Sequence, residues 1–80
     1  MTEKRYKFFR TEQASVADPA TGKPYYFVVN NRSGDDIGVI AWYRAWKMYG
    51  LKSEDCAVWS ADCLADIIEF LNELNKENKA

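Results

Sequence analysis

Polar and apolar positions alternate through the middle of the chain and change period near residue 60. Pro24-Tyr25-Tyr26-Phe27-Val28-Val29-Asn30-Asn31 is an aromatic and β-branched run bounded by proline and paired asparagines, and it predicts a strand over 25–30. Asn31-Arg32-Ser33-Gly34-Asp35-Asp36 follows with turn chemistry, Gly34 being the natural positive-φ position. Ile37-Gly38-Val39-Ile40-Ala41-Trp42 is again β-branched and aromatic, so the two runs around this short polar loop predict a hairpin. Upstream, Arg5-Tyr6-Lys7-Phe8-Phe9-Arg10 reads as another strand, with Tyr6, Phe8 and Arg10 on one side and Lys7 and Phe9 on the other. Residues 11–24, which hold two prolines and Gly22, read as a loop.

After residue 60 the period becomes helical. Ser60 is a good N-cap and Asp62 suits the first turn. Leu64, Ile67, Ile68, Leu71 and Leu74 recur at helical spacing, with Asp62, Asp66, Glu69 and Glu73 opposite them. The pattern predicts an amphipathic helix over about 61–75, its acidic stripe in solvent, and a frayed tail over 76–80.

The stretch Trp42-Tyr43-Arg44-Ala45-Trp46-Lys47-Met48-Tyr49-Gly50 fits both periods. As a helix it places Trp42, Trp46 and Tyr49 on one face, with Asp35 and Asp36 as caps and Gly50 as the stop. Ile37, Val39, Ile40, Trp42 and Tyr43 are weak helix formers, however, and Gly38 lies near the start. On these residues alone, a helix over 37–49 and a pair of strands both stay open.

Three segments together resemble a pattern of small proteins encoded by bacteriophages and prophages. They are Gly38-x-Ile40-x-Trp42, Trp46-Lys47-x-Tyr49 and Trp59-Ser60-x-x-Cys63-Leu64-x-Asp66-Ile67-x-x-Phe70-Leu71-x-x-Leu74-Asn75. The likeness covers roughly residues 25–75 and brings no activity with it. In that family the position between the two Trp-containing segments often holds proline, which implies a turn; here it is Tyr43-Arg44-Ala45. The resemblance implies strand–turn–strand over 37–51, in a phage- or prophage-derived protein. The fold expected is α+β: a three- to four-stranded antiparallel β-meander with one C-terminal amphipathic helix on one face. A two-residue turn at Arg44-Ala45 pairs Tyr43 with Trp46 and Ile40 with Tyr49, whereas a turn at 43–45 sets Trp42 against Trp46. The two registers put these side chains on opposite faces.

Size and charge bound the function. Eighty residues make one domain with a core at about 25–75, and a chain this short buries only roughly 60% of its unfolded surface. A composition 48% hydrophobic and 15% aromatic is one that folds. No apolar run approaches the ~20 residues that span a bilayer, and residues 1–5 are not followed by the apolar stretch of a signal peptide. A soluble protein of the bacterial host cytoplasm is expected. The net charge is −1, and residues 60–80 carry five acidic against two basic groups. That balance disfavours general binding to nucleic acid.

Catalytic chemistry is sparse. The chain has no histidine, which removes the commonest general base and the commonest zinc ligand. Cys56 and Cys63 lack the C-x-x-C spacing and read as reduced core residues, Cys63 having a lesser reading as a reactive thiol in a first helical turn. Asp35-Asp36 and Glu54-Asp55 are carboxylate pairs at loops and read as solvated turn or cap groups. No Gly-rich phosphate loop is present. We therefore expect no enzyme, no catalytic residue, no metal, no cofactor and no small-molecule substrate.

The sheet itself remains. One helix with a single apolar stripe covers one face, so some of Tyr25, Tyr26, Phe27, Trp42, Tyr43, Trp46 and Tyr49 must stay on the other. Trp42, Tyr43, Arg44, Trp46, Lys47 and Tyr49 are the candidate binding residues, aromatic and arginine side chains being those enriched at binding hot spots. The partner expected is a protein or a second copy of the chain. Stacking of single-stranded nucleic acid on the aromatic and basic strand is the alternative.

Overall fold

Short alternating runs separated by turn residues can pair only with their chain neighbours, and they do. In a computed structural model that describes residues 3–78, the strands are β1 (Phe9–Gln13), β2 (Tyr26–Asn30), β3 (Asp36–Tyr43) and β4 (Met48–Ser53). They form one antiparallel sheet in the order β1-β2-β3-β4, and helix α1 (Ala61–Glu77) packs on one face. The fold is α+β, a meander followed by a helix, as expected.

Alternation along the strands sends Phe9, Thr11, Tyr26, Val28, Ile40 and Tyr49 towards the helix, where all are buried. Ile67, Phe70 and Leu74 close the core from above. The Phe70 ring meets Tyr26 edge to face at 5.4 Å, a favoured aromatic geometry. A bulge between Val28 and Val29 gives β3 one extra residue at Ile37. Next to it, a Cβ on Gly38 would lie 3.0 Å from Leu51 Cδ1 and 3.2 Å from the Lys52 carbonyl, so only glycine fits this approach without a shift.

The N-terminal segment departs from expectation. No continuous strand runs over 5–10; the chain turns at Tyr6–Phe9 and β1 begins at Phe9, continuing to Gln13 where a loop was expected. Tyr6 N–H donates to the Phe9 carbonyl at 2.8 Å and Thr11 N–H to the Lys4 carbonyl at 2.8 Å, laying residues 4–6 back along the β1 edge. The cause lies 25 residues away: Asn31 donates its side-chain amide to the Tyr6 carbonyl at 2.8 Å and its backbone N–H to the Phe8 carbonyl at 3.1 Å. Tyr6 consequently stacks on Phe9, with ring centroids 4.9 Å apart, and does not share a side with Arg10.

Helix α1 starts as its sequence dictates, with Ser60 Oγ accepting the Cys63 N–H at 3.1 Å. It runs past the expected end to Glu77, where Asn78 N–H bonds the Leu74 carbonyl; residues 79–80 of the expected tail lie outside the described residues. The buried stripe is Ile67, Phe70 and Leu74 with Leu71 half-buried, whereas Leu64 and Ile68 are 44% and 58% exposed. At 100° per residue, 64 and 68 fall on a flank, and the helix docks along the 67-70-74 line. Nor is the acidic stripe wholly solvated. Lys4 Nζ reaches Glu69 at 2.8 Å and Glu73 at 3.0 Å, and these two hydrogen bonds raise its pKa above the ordinary lysine range. They tie the outer edge of the sheet to the helix.

Candidate binding face

The stretch from 37 to 51 is two strands joined by a turn, not a helix. The turn has four residues, Arg44–Lys47, closed by the pair Tyr43 and Met48. Trp46 N–H bonds the Tyr43 carbonyl at 3.2 Å and Lys47 takes a left-handed φ of 54°. Both expected registers are corrected: Trp42 lies opposite Tyr49, and Ile40 opposite Leu51. This register keeps Tyr49 on the same face as Ile40, and Tyr49 enters the core.

The six candidate residues consequently divide between two sides of the sheet. Tyr49 is 2% exposed; its hydroxyl donates to the Pro24 carbonyl at 2.8 Å and its N–H to Asn75 Oδ1 at 2.6 Å. Burial pushes that hydroxyl's pKa up to about 12. Trp42 meets Tyr49 edge to face at 5.5 Å and carries Lys23 Nζ 4.5 Å from a ring centroid. Both point to the helix side; Tyr49 is a packing residue, a correction to the candidate set, whereas Trp42 is half-buried and also borders an apolar hollow. Tyr43 and Trp46 are 50% and 67% exposed and touch each other edge to face at 4.6 Å. Arg44 and Lys47 stand exposed beside them.

Four candidates thus stay together, and they border a feature that the sequence did not reveal. On the face away from the helix, an apolar hollow of about 260 Å³ is lined by Val39, Ala41, Tyr43, Trp46 and Gly50, with Trp42 and Leu51 also bordering it. A Cβ at Gly50 would meet nothing within 4 Å, so the hollow is open over that residue. Strict alternation of 39, 41 and 43 was the available signal; Gly50 instead looked like a helix stop. Lys52, opposite Val39, marks the far end. The β1–β2 half of the same face differs, because Arg10 Nε pairs with Glu12 at 2.8 Å beside Val29 and Phe27. Among the described residues Arg44, Lys47 and Lys52 make no ion pair.

Elsewhere the molecule offers less. A polar recess of about 450 Å³ lies along the N-terminal hairpin, but its Lys4 and Arg10 already hold Glu69, Glu73 and Glu12. Both cysteines are free; Cys56 is exposed and Cys63 half-buried, so neither is the core residue expected. Asp35 and Asp36 are exposed at the β2–β3 turn, where Asn30 N–H bonds the Asp35 carbonyl. Among the described residues no group of three or more acidic or thiol side chains is placed to hold a metal ion. Among the same residues no helix is long and apolar enough to cross a membrane. Neither a family model, nor a curated protein, nor a solved structure matches the chain.

Proposed function

We propose that this chain is a small non-enzymatic binding protein of phage or prophage origin. In this reading it captures a host or phage protein, in the host cytoplasm, on the uncovered β3–β4 half of its sheet. The observation that carries the reading is the exposed Tyr43–Trp46 pair standing at an apolar hollow. Exposed aromatic surface costs free energy in water, roughly 25 cal/mol per Å², and a partner's apolar side chain relieves that cost. Tyrosine, tryptophan and arginine are also the side chains most enriched where truncation weakens a complex most. The resemblance to phage- and prophage-encoded proteins supports the origin and the setting inside a bacterial cell.

The test uses the full chain and a random peptide library displayed on its encoding messenger RNA. Selected peptides are measured against Trp46→Ala and against Gly50→Leu, which fills the hollow without removing an aromatic ring. Each substitution is expected to weaken binding by about 2 kcal/mol or more while the melting temperature holds. Peptides that bind both variants as well as the parent would overturn the reading.

A further inference from the structure

We infer, resting on that reading, that the captured segment is acidic: an extended stretch with one bulky apolar side chain and a carboxylate on either side of it. The unpaired cations carry the argument. By register, Arg44 and Lys47 lie in the turn beyond Tyr43 and Lys52 lies opposite Val39, at the two ends of the strands that line the hollow, none of them in an ion pair among the described residues. Glu54 and Asp55 follow Lys52 in the chain, yet neither pairs with it. Near the N-terminal hairpin, two cations, Lys4 and Arg10, are already held by this chain's own glutamates. Three positive charges around an apolar hollow leave an attraction that only a partner can complete.

Size selects the form of that partner. The hollow, about 260 Å³, is below the roughly 300–1,000 Å³ of small-molecule pockets and suits a single large side chain. Two strands about 4.8 Å apart and about six residues long present on the order of 200 Å². A standard interface takes roughly 800 Å² from each partner, so this face is too small for stable pairing with a second folded copy and large enough for a peptide. From Met48, beside the turn, to Lys52 is about 13 Å along an extended strand. A peptide laid along β4 spans that distance in five residues and sends every second side chain to the same face. The pattern expected is acidic, spacer, bulky apolar, spacer, acidic. Nucleic acid fits less well: Tyr43 and Trp46 pack edge to face and do not present two parallel stacking surfaces, and the net charge is −1.

The experiment uses the same displayed peptide library on the full chain, with oligo(dT) and the chain alone as the other two probes. Selected peptides should be enriched in that acidic–apolar pattern. Their binding should fall at least about tenfold in Arg44→Glu and in Lys52→Glu, and again when NaCl rises from about 50 to about 300 mM. A lysine in place of one peptide carboxylate should recover binding to the reversed variant. Both positions are exposed, and thermal melts confirm that each variant folds. Peptides lost on Trp46→Ala but neither acidic nor sensitive to charge reversal would sink this inference and leave the binding face standing. Failure to select any peptide, or peptides indifferent to Trp46→Ala, would sink both. Displacement of the peptides by oligo(dT), or a dimer in sedimentation that Trp46→Ala dissolves, would assign the face to nucleic acid or to a second copy instead.

Discussion

The side-chain Oδ1 of Asn75 accepts the backbone N–H of Tyr49 across 2.6 Å. This one bond joins the last turns of the helix to the outer strand of the sheet, at a residue sealed from water. Asn75→Leu leaves the donor buried and unpaired, which costs about 1–3 kcal/mol. Asn75→Asp keeps an acceptor and should cost less. Urea midpoints at unchanged slope are the measurement; equal losses for the two substitutions would mean that the hydrogen bond contributes little.

Phe70 and Ile68 are two residues apart and should respond in opposite ways. Phe70 is fully buried against Tyr26, so Phe70→Ala is expected to cost about 3–5 kcal/mol, much of the stability of so small a chain. Ile68 is mostly in solvent, and Ile68→Ala should stay within about 0.5 kcal/mol. Thermal melts followed by circular dichroism separate the two outcomes, and comparable losses would mean the helix docks along a different stripe.

Alkaline pH should unfold the protein through its tyrosines. Burial raises the Tyr49 hydroxyl to about 12 and raises Tyr6 and Tyr26 in the same direction, against about 10 in an unfolded chain. Above pH 10 the unfolded state releases protons that the folded state still holds, so stability must fall with rising pH. The contribution is complete below pH 10 and, for Tyr49, is lost as pH climbs through 12, amounting to about 2–3 kcal/mol. Melting temperature against pH should show this decline, and Tyr49→Phe should flatten it at some loss of stability at neutral pH.

Lys47 holds a left-handed φ of 54° that costs a side-chain-bearing residue about 1–2 kcal/mol, and glycine avoids that strain. Because glycine also loses more freedom on folding, Lys47→Gly should stabilise the chain by only about 0.5 kcal/mol. Lys47→Val should destabilise it. Chemical denaturation of the two variants gives the comparison, and stabilisation by valine would contradict the turn geometry.

Much of the architecture was legible in local chemistry. β2 and β3 follow from β-branched alternation broken by Asn31–Asp35, and α1 follows from the Ser60 cap. The parts that were not legible depend on distant residues. The β1 start is set by Asn31, which no local pattern near Tyr6 announces. The turn Arg44–Lys47 contains no glycine, proline, asparagine or aspartate, so no turn propensity announces its length. Tyr49 joined the candidate site on residue type, whereas register put it in the core, with Trp42 half-buried against it. On the helix, 64-67-68-71 and 67-70-71-74 are both acceptable stripes, and only docking chooses Phe70 over Leu64 and Ile68.

The fold-back of Lys4–Tyr6 along β1 has a bearing on solubility. A meander has two open margins, each a ready template for further strands and so for fibrous assembly. Here one margin is sheathed by a three-residue segment of the same chain, anchored to the helix through Lys4. The other is interrupted where the Asn75 side chain occupies the donor of Tyr49. A molecule built this way can leave sticky aromatic surface in water without growing sideways into sheets.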